Sequence, residues 1–232
     1  MFRFFVDFPR ENNSMSRSGP GIVFILPLLS KIMTKQFEAH DPYFAKAKAL
    51  GYRARSAFKL LEIQEKYHLL KPWMNVLDVA AAPWSFLQVI AKIIGQKWKA
   101  VWIDIQKIDP NFGFGNIYLL EESVFEFEKI RIFLDSLKIG KFDVITSDIA
   151  PSTTGMTGVD QYRSIELNLA ILEVADVFLK KWGTLVLKVF AGEDIEDLIW
   201  PVKERYQKLN RFKPKACRDR SFEEYFVCST KK

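Results

Sequence analysis

From Asn75 to Phe190 the chain alternates short apolar runs with longer amphipathic stretches, and this alternation constrains the fold more than any other feature. "NVLDVA" (75–80), "AVWIDI" (100–105), "NIYLLE" (116–121), "FDVITSDIA" (142–150) and "TLVLKVF" (184–190) have the length and apolar density of strands. Between them, "SFLQVIAKIIG" (85–95), "SVFEFEKIRIFLDSL" (123–137, with Ser123 as N-cap) and "VDQYRSIELNLAILEVADVFLKK" (159–181) have helical spacing. Strands separated by helices of this length pair in parallel through crossovers, which predicts an open, doubly wound α/β sheet. Two helices are predicted ahead of it, "DPYFAKAKALG" stopped at Gly51 and "RSAFKLLEIQEKYHLL" stopped by Pro72. Behind it, "EDIEDLIWPVKERY" (193–206) reads as a helix with Pro201 as a kink or break, and "RFKPKAC" and "EYFVCST" read as final strands.

A chain of 232 residues, 49% hydrophobic and 27% charged, suits one such domain. The net charge of +6 fits a lysine-rich solvated surface and a nucleic-acid partner about equally well. Two cysteines, Cys217 and Cys228, and two histidines, His40 and His68, give no zinc-ligand spacing, so no metal is expected, and cysteines this sparse suit a reducing cytoplasm. The apolar run "GIVFILPLL" is too short to span a bilayer and contains Pro27. No small-residue cleavage pattern follows it. Residues 1–32 are therefore expected to be an extension, disordered or upstream of a true start at Met33, with residues 33–232 forming a single domain that has no membrane segment.

Ligands of doubly wound sheets bind outside the carboxyl ends of the strands. Asp104 ends the second strand, where an acid accepts hydrogen bonds from ribose hydroxyls; a loop acid or helix cap is the plain alternative. Asp148 ends the fourth strand ahead of Pro151 and faces the same crevice, with the same alternative. Lys188 lies inside "LVLKVF", a run that otherwise reads as buried on both sides. A buried ammonium needs a partner, and Asp148 on a neighbouring strand is a natural one. That places Lys188 as a candidate proton acceptor or as half of a structural ion pair. Lys59, on a helix, and Glu223, at the head of the last strand, carry little meaning alone. The glycine fingerprint of nicotinamide-dependent enzymes is absent.

Taken in order, these segments resemble the FtsJ family of ribosomal RNA 2′-O-methyltransferases from about Asp41 to Thr230. "GYRARSAFKLLEIQ" is similar to that family's N-terminal helix and "VLDVAAAP" to its cofactor loop. "IDIQKID", "SDIAPSTTGMTGVDQYRSIEL", "TLVLKVF" and "SFEEYFV" are similar to its second, fourth, fifth and last strand motifs. The resemblance implies a Rossmann-like S-adenosylmethionine-dependent methyltransferase fold, with a mostly parallel sheet and a last antiparallel strand. It implies a Lys–Asp–Lys–Glu catalytic tetrad at Lys59, Asp148, Lys188 and Glu223. Glu223 is preferred to Glu224 because the family's glutamate stands two residues before a tyrosine, here Tyr225. For S-adenosyl-L-methionine it implies contacts from Ala80, Pro83, Trp84, Phe86, Asp104, Ser123 and Asp148. The implied substrate is a ribose, by family a uridine, in large-subunit rRNA or the assembled large subunit, modified late in assembly by a monomer that does not act on DNA. The basic stretches "YRARSAFK" and "RFKPKACRDR" are candidate phosphate contacts. The same chemistry on tRNA or an mRNA cap, and a non-catalytic RNA-binding protein with a blocked cofactor loop, are the alternatives.

The departures from the family cluster on tryptophan. Trp73, Trp84, Trp98, Trp102 and Trp182 stand where the family has glycine; the resemblance does not place Trp200. Ala80 also replaces a glycine. Ser123 replaces an acid that meets the adenine amino group, with Glu122 beside it. A UGA codon read as glycine in the source cells and as tryptophan in the written sequence accounts for the pattern. A genuine Trp84 would instead fill the cofactor loop.

Overall fold

The apolar runs assemble into one sheet. A computed structural model describes residues 41–79, 85–107, 113–218 and 221–232. Its strands are β1 (Val76–Val79), β2 (Ala100–Asp104), β3 (Ile117–Glu121), β4 (Phe142–Ser147), β5 (Leu179–Phe190), β6 (Tyr206–Phe212) and β7 (Glu223–Lys231), paired in the order β3-β2-β1-β4-β5-β7-β6. The first five are parallel neighbours, and β7 is antiparallel to both β5 and β6. The α-helices among the described residues are α1 (Pro42–Ala49), α2 (Ser56–Tyr67), α3 (Ser85–Ile94), α4 (Phe127–Ser136), α5 (Thr157–Phe178) and α6 (Glu196–Arg205). None of them is long and apolar enough to cross a membrane.

Both faces of the sheet are covered, which is why its central strands are apolar throughout rather than alternating. Leu77, Val79, Val101, Ile103, Ile145 and Leu187 form one core with Ile130 and Leu134 of α4, Ile171 and Leu172 of α5, and Leu198 and Val202 of α6. Val76, Ala100, Trp102, Val144 and Val186 form the other with Ala57, Leu60 and Ile63 of α2 and Phe86, Leu87 and Ile90 of α3. The period-two alternation of strand side chains puts Lys188 and Tyr225 on the α2/α3 side. The strand order reverses between β1 and β4, which opens a crevice at their carboxyl ends.

Element boundaries differ from the expectations in several places. The helix expected to reach Lys181 ends at Phe178, because Leu179 already pairs with Phe142; pairing resumes at Val144 with Thr184, so Lys180–Gly183 bulge out. Ser123 caps no helix: α4 starts at Phe127, and the Ser123 hydroxyl accepts only the Phe125 N–H at 3.4 Å. Helix α2 ends at Tyr67, where His68 turns left-handed (φ 50°), ahead of Pro72. Pro201 does not break α6; the helix runs on to Arg205, anchored by buried Leu198, Ile199 and Val202. Strand β6 begins at Tyr206 rather than Arg211. It is an edge strand with few buried residues, and so lacks an apolar signature. Residues 1–32, and the cofactor-loop positions Ala80, Pro83 and Trp84, lie outside the described residues.

The tryptophans divide. Trp73, Trp98, Trp182 and Trp200 are exposed, whereas Trp102 is 1% exposed, part of the α2/α3 core, and its Nε1 hydrogen finds no partner among the described residues. Trp182 sits in the β5 bulge at φ 67°, a left-handed conformation that only glycine adopts without strain. Its neighbour Gly183 is also required, since a Cβ there would meet the Leu179 side chain at 2.7 Å. Trp182→Gly is expected to stabilise the fold by about 1 kcal/mol in urea denaturation, and a peptide from the source cells spanning residue 182 to carry the mass of glycine. A destabilised variant, or a tryptophan mass, would remove the recoding explanation.

Candidate active site

Four distant parts of the chain meet above the carboxyl ends of β4 and β5. Arg55, at the N-cap of α2, and Lys59 and Glu62 within it fall at i, i+4 and i+7 and share one face. Arg55 donates to the Ala216 carbonyl, and the Glu62 carboxylate accepts the N–H groups of Lys215 (2.5 Å) and Ala216 (3.0 Å). This clamp fixes the segment before β7 against α2. Between its two ends, Lys59 donates to Glu223, the first residue of β7.

The antiparallel register of β5 and β7 sets Lys188 opposite Tyr225 and Phe190 opposite Glu223. Lys188 Nζ donates to the Asp148 backbone carbonyl at 2.5 Å and lies 3.3 Å from Asp148 Oδ1. The Tyr225 hydroxyl lies 2.6 Å from Asp148 Oδ1 and 3.0 Å from Glu223 Oε1. Its single proton bridges the two carboxylates, the shorter distance favouring Asp148. The result is one chain, Lys188–Asp148–Tyr225–Glu223–Lys59, in which two cations answer two carboxylates and a phenol joins them. All four charged side chains are nearly buried, the most exposed at 12%.

The environment sets the protonation states. Burial pushes the Glu223 carboxyl up, but Lys59, then Lys188 and the Tyr225 hydroxyl, outweigh it and hold the group below 4.5. Burial, with Asp148 and Glu223 alongside, drives Tyr225 well above its ordinary value, so it keeps its proton. The Cys217 thiol, 3.7 Å from Glu223 Oε1, is pushed up to about 12 by burial and by that carboxylate.

Next to this chain lies a cavity of about 460 Å³, reached from the ends of β2, β3, β4 and β5. Asp104, Glu122, Ser123, Asp148 and Lys188 supply polar groups to its wall, and Ile105, Val124, Phe125 and Ile149 supply apolar ones. Asp104 Oδ1 accepts the Gln106 N–H at 3.1 Å, and burial raises its pKa above the ordinary value. The Glu122 carboxylate is held by Lys129 (2.8 Å) and by the Ser123 N–H (3.0 Å). An acid at the end of the second strand, an apolar middle and charged groups at the far end have the size and chemistry to take a nucleoside, with Asp104 placed to accept ribose hydroxyls. Phe86 does not line this cavity: it is 1% exposed and its ring centroid lies 6.1 Å from that of Tyr225, so it supports the polar chain from below.

Two residues escaped the sequence reading. Tyr225 was used there only to align Glu223, although its position two residues along the same strand puts it on the same face. Asp78, in the middle of β1, is fully buried; its Oδ1 accepts the Thr146 hydroxyl at 2.6 Å, and its Oδ2 has no partner among the described residues. Burial raises its pKa well above the ordinary value, and the carboxylates of Asp148 and Asp104 push the same way. The signal for both was the one that marks Lys188, a polar group inside an apolar strand.

Strand order, one reversed strand and acids at the strand ends define a Rossmann-like methyltransferase fold. The model of the FtsJ-like methyltransferases matches residues 52–231, and the chain belongs to that family. It is 41% identical over 189 residues to the ribosomal RNA large subunit methyltransferase E of Nitratidesulfovibrio vulgaris strain DP4, covering 81% of this chain and 91% of that protein. A solved ribosomal RNA methyltransferase from Plasmodium falciparum superposes with a TM-score of 0.67 at 28% identity, over 78% of this chain and 98% of that one. Aeropyrum pernix fibrillarin, crystallised with natively bound S-adenosyl-L-methionine, shares the fold at 14% identity and a TM-score of 0.52, over 76% of this chain and 75% of its own.

The Lys59–Glu223 pair has a pH signature. Because the folded pKa of Glu223 lies below 4.5, it contributes stability above pH 4.5 that fades as pH falls through the lower folded value. Lys59→Met leaves burial as the leading influence and raises that pKa. The variant is expected to lose about 3 kcal/mol at neutral pH and to regain part of it in mild acid, opposite to the parent. Urea titrations of both proteins across the acid range check this; parallel slopes would contradict it.

Proposed function

We propose that this protein transfers a methyl group from S-adenosyl-L-methionine to a ribose 2′-hydroxyl, by family a uridine's, of large-subunit ribosomal RNA. The observation that carries the reading is the Lys188–Asp148–Tyr225–Glu223–Lys59 chain at the mouth of a nucleoside-sized cavity. The family membership and the rRNA methyltransferase relatives support it. The cofactor supplies an electrophilic methyl group. Asp104 would hold its ribose, Ser123 or Glu122 would meet its adenine, and Asp148 would hold its methyl-bearing end.

The chain's own residues supply the acceptor half. To accept a proton, Lys188 Nζ first releases one of its own to solvent; it stays anchored through its hydrogen bond to the Asp148 carbonyl, with Asp148 Oδ1 3.3 Å away. The lone pair is then left for the substrate hydroxyl, whose proton passes to Nζ as the oxygen attacks. Asp148 fixes the direction of that lone pair. Tyr225 and Glu223 fix Asp148, and Lys59 compensates the second carboxylate while facing the substrate side. Positioning of two bound reactants supplies much of the rate.

RNA lies across the same edge. Lys213, Lys215 and Arg218 are exposed just before β7 and Lys46 and Lys48 on α1, on either side of the Arg55 and Glu62 clamp, where they meet phosphates. A reaction at a 2′-hydroxyl excludes DNA at the target nucleotide. The protein acts as a monomer in the cytoplasm, late in large-subunit assembly.

Lys188→Ala and Lys188→Arg are both expected to lower transfer of labelled methyl to unmodified large subunits by about a hundredfold or more, while cofactor affinity stays within a factor of a few. Arginine keeps the charge but does not give up its proton. An active Lys188→Arg enzyme would rule out Lys188 as proton acceptor. Label appearing in tRNA rather than in large subunits would reassign the substrate, and a wild-type protein that never binds the cofactor would leave only an RNA-binding role.

A further inference from the structure

A second cavity, of about 230 Å³, opens past the carboxyl end of β5. Thr153 in the loop after β4, Gln161 near the start of α5, Phe190 at the end of β5, and Ser221 and Phe222 ahead of β7 line it. It adjoins the reaction centre on both strands. Phe190 lies two residues past Lys188, about 7 Å along the strand, and Phe222 immediately precedes Glu223.

Phe222 is 58% exposed, yet its backbone is fixed: its carbonyl accepts the Ala191 N–H at 3.0 Å, and the next amide, Glu223 N–H, donates to Ser221 Oγ at 3.1 Å. An aromatic ring is thus held open to solvent beside a polar site. Gln161 Nε2 donates to the Ala191 carbonyl at 2.6 Å, which fixes the carboxamide at the wall. Its carboxamide packs on Gly192, where a Cβ would stand 2.2 Å from Oε1, so the bare backbone there makes room for it. The charged residue of the wall, Asp160, is negative, and its Oδ1 already accepts the Thr154 N–H (2.8 Å) and hydroxyl (2.9 Å). That charge repels a phosphate but tolerates a neutral, flat group.

We propose that this cavity receives the base of the nucleotide whose 2′-hydroxyl lies at Lys188, with the base stacked on Phe222. Flat aromatic side chains hold unstacked bases of single-stranded RNA in this way, and hydroxyl and amide groups read their edges. Thr153, Ser221 and Gln161 supply those groups. Seating the base here turns the ribose toward Lys188 and the cofactor cavity, so the pocket selects the nucleotide as well as holding it. The inference rests on the methyltransferase reading.

The test is steady-state methyl transfer to unmodified large subunits at saturating cofactor. Phe222→Ala is expected to lower kcat/KM for RNA roughly tenfold or more without changing the cofactor dissociation constant. Phe222→Trp should restore it, because the indole is flat, whereas Phe222→Leu, apolar but without a π face, should not. An unaffected Phe222→Ala enzyme, or a leucine variant as active as the tryptophan one, would overturn the base site while leaving the methyltransferase reading intact. An inactive wild-type protein would instead refute the methyltransferase reading itself.

Discussion

A lysine side chain inside a strand covered on both faces cannot stand alone, and the architecture of the site follows from how this chain answers Lys188. Its Nζ is held by Asp148, Asp148 is held by Tyr225, and Tyr225 leads through Glu223 to a second lysine. Buried ion pairs of this kind return little net stability, because desolvation offsets much of the attraction. Their energetic sense lies in preorganisation: the groups that meet developing charge are already in place, in surroundings of low dielectric, and need not reorganise during reaction.

The fold is what makes this arrangement possible from residues so far apart in sequence. The crossover order sets β4 beside β5, and the one reversed strand, β7, brings its first residue alongside the last residue of β5. Helix α2 then delivers Lys59 because Arg55 and Glu62, one turn to either side, grip the segment that leads into β7. Donor cavity, polar chain and base-sized pocket lie in sequence along the same sheet edge. The same order is needed for a methyl group to pass from cofactor to ribose.

Much of this was legible in the chain. Alternating strands and helices gave the parallel sheet, and Lys188 stood out by violating the apolar pattern of its own strand. Lys59 and Glu223 were invisible to such reasoning, since a lysine on a helix and a glutamate at a strand start are commonplace; only their resemblance to a family motif singled them out. Tyr225 and Asp78 went unread because a tyrosine in a strand looks like core and Asp78 lies in a segment read only as strand and cofactor loop. Strand β6 was misplaced because an edge strand carries too few buried residues to announce itself, and the β5 bulge was missed because pairing of Leu179 outcompetes a continued helix.

The central claim is that the methyl acceptor is a ribose oxygen at Lys188, and the chemistry of the product tests it most directly. Large-subunit RNA labelled by the protein with tritiated methyl groups can be hydrolysed in alkali, which cleaves only where a free 2′-hydroxyl can attack the neighbouring phosphate. The account predicts that the label survives in an alkali-resistant dinucleotide. Label recovered in a mononucleotide would place the methyl on a base and contradict it.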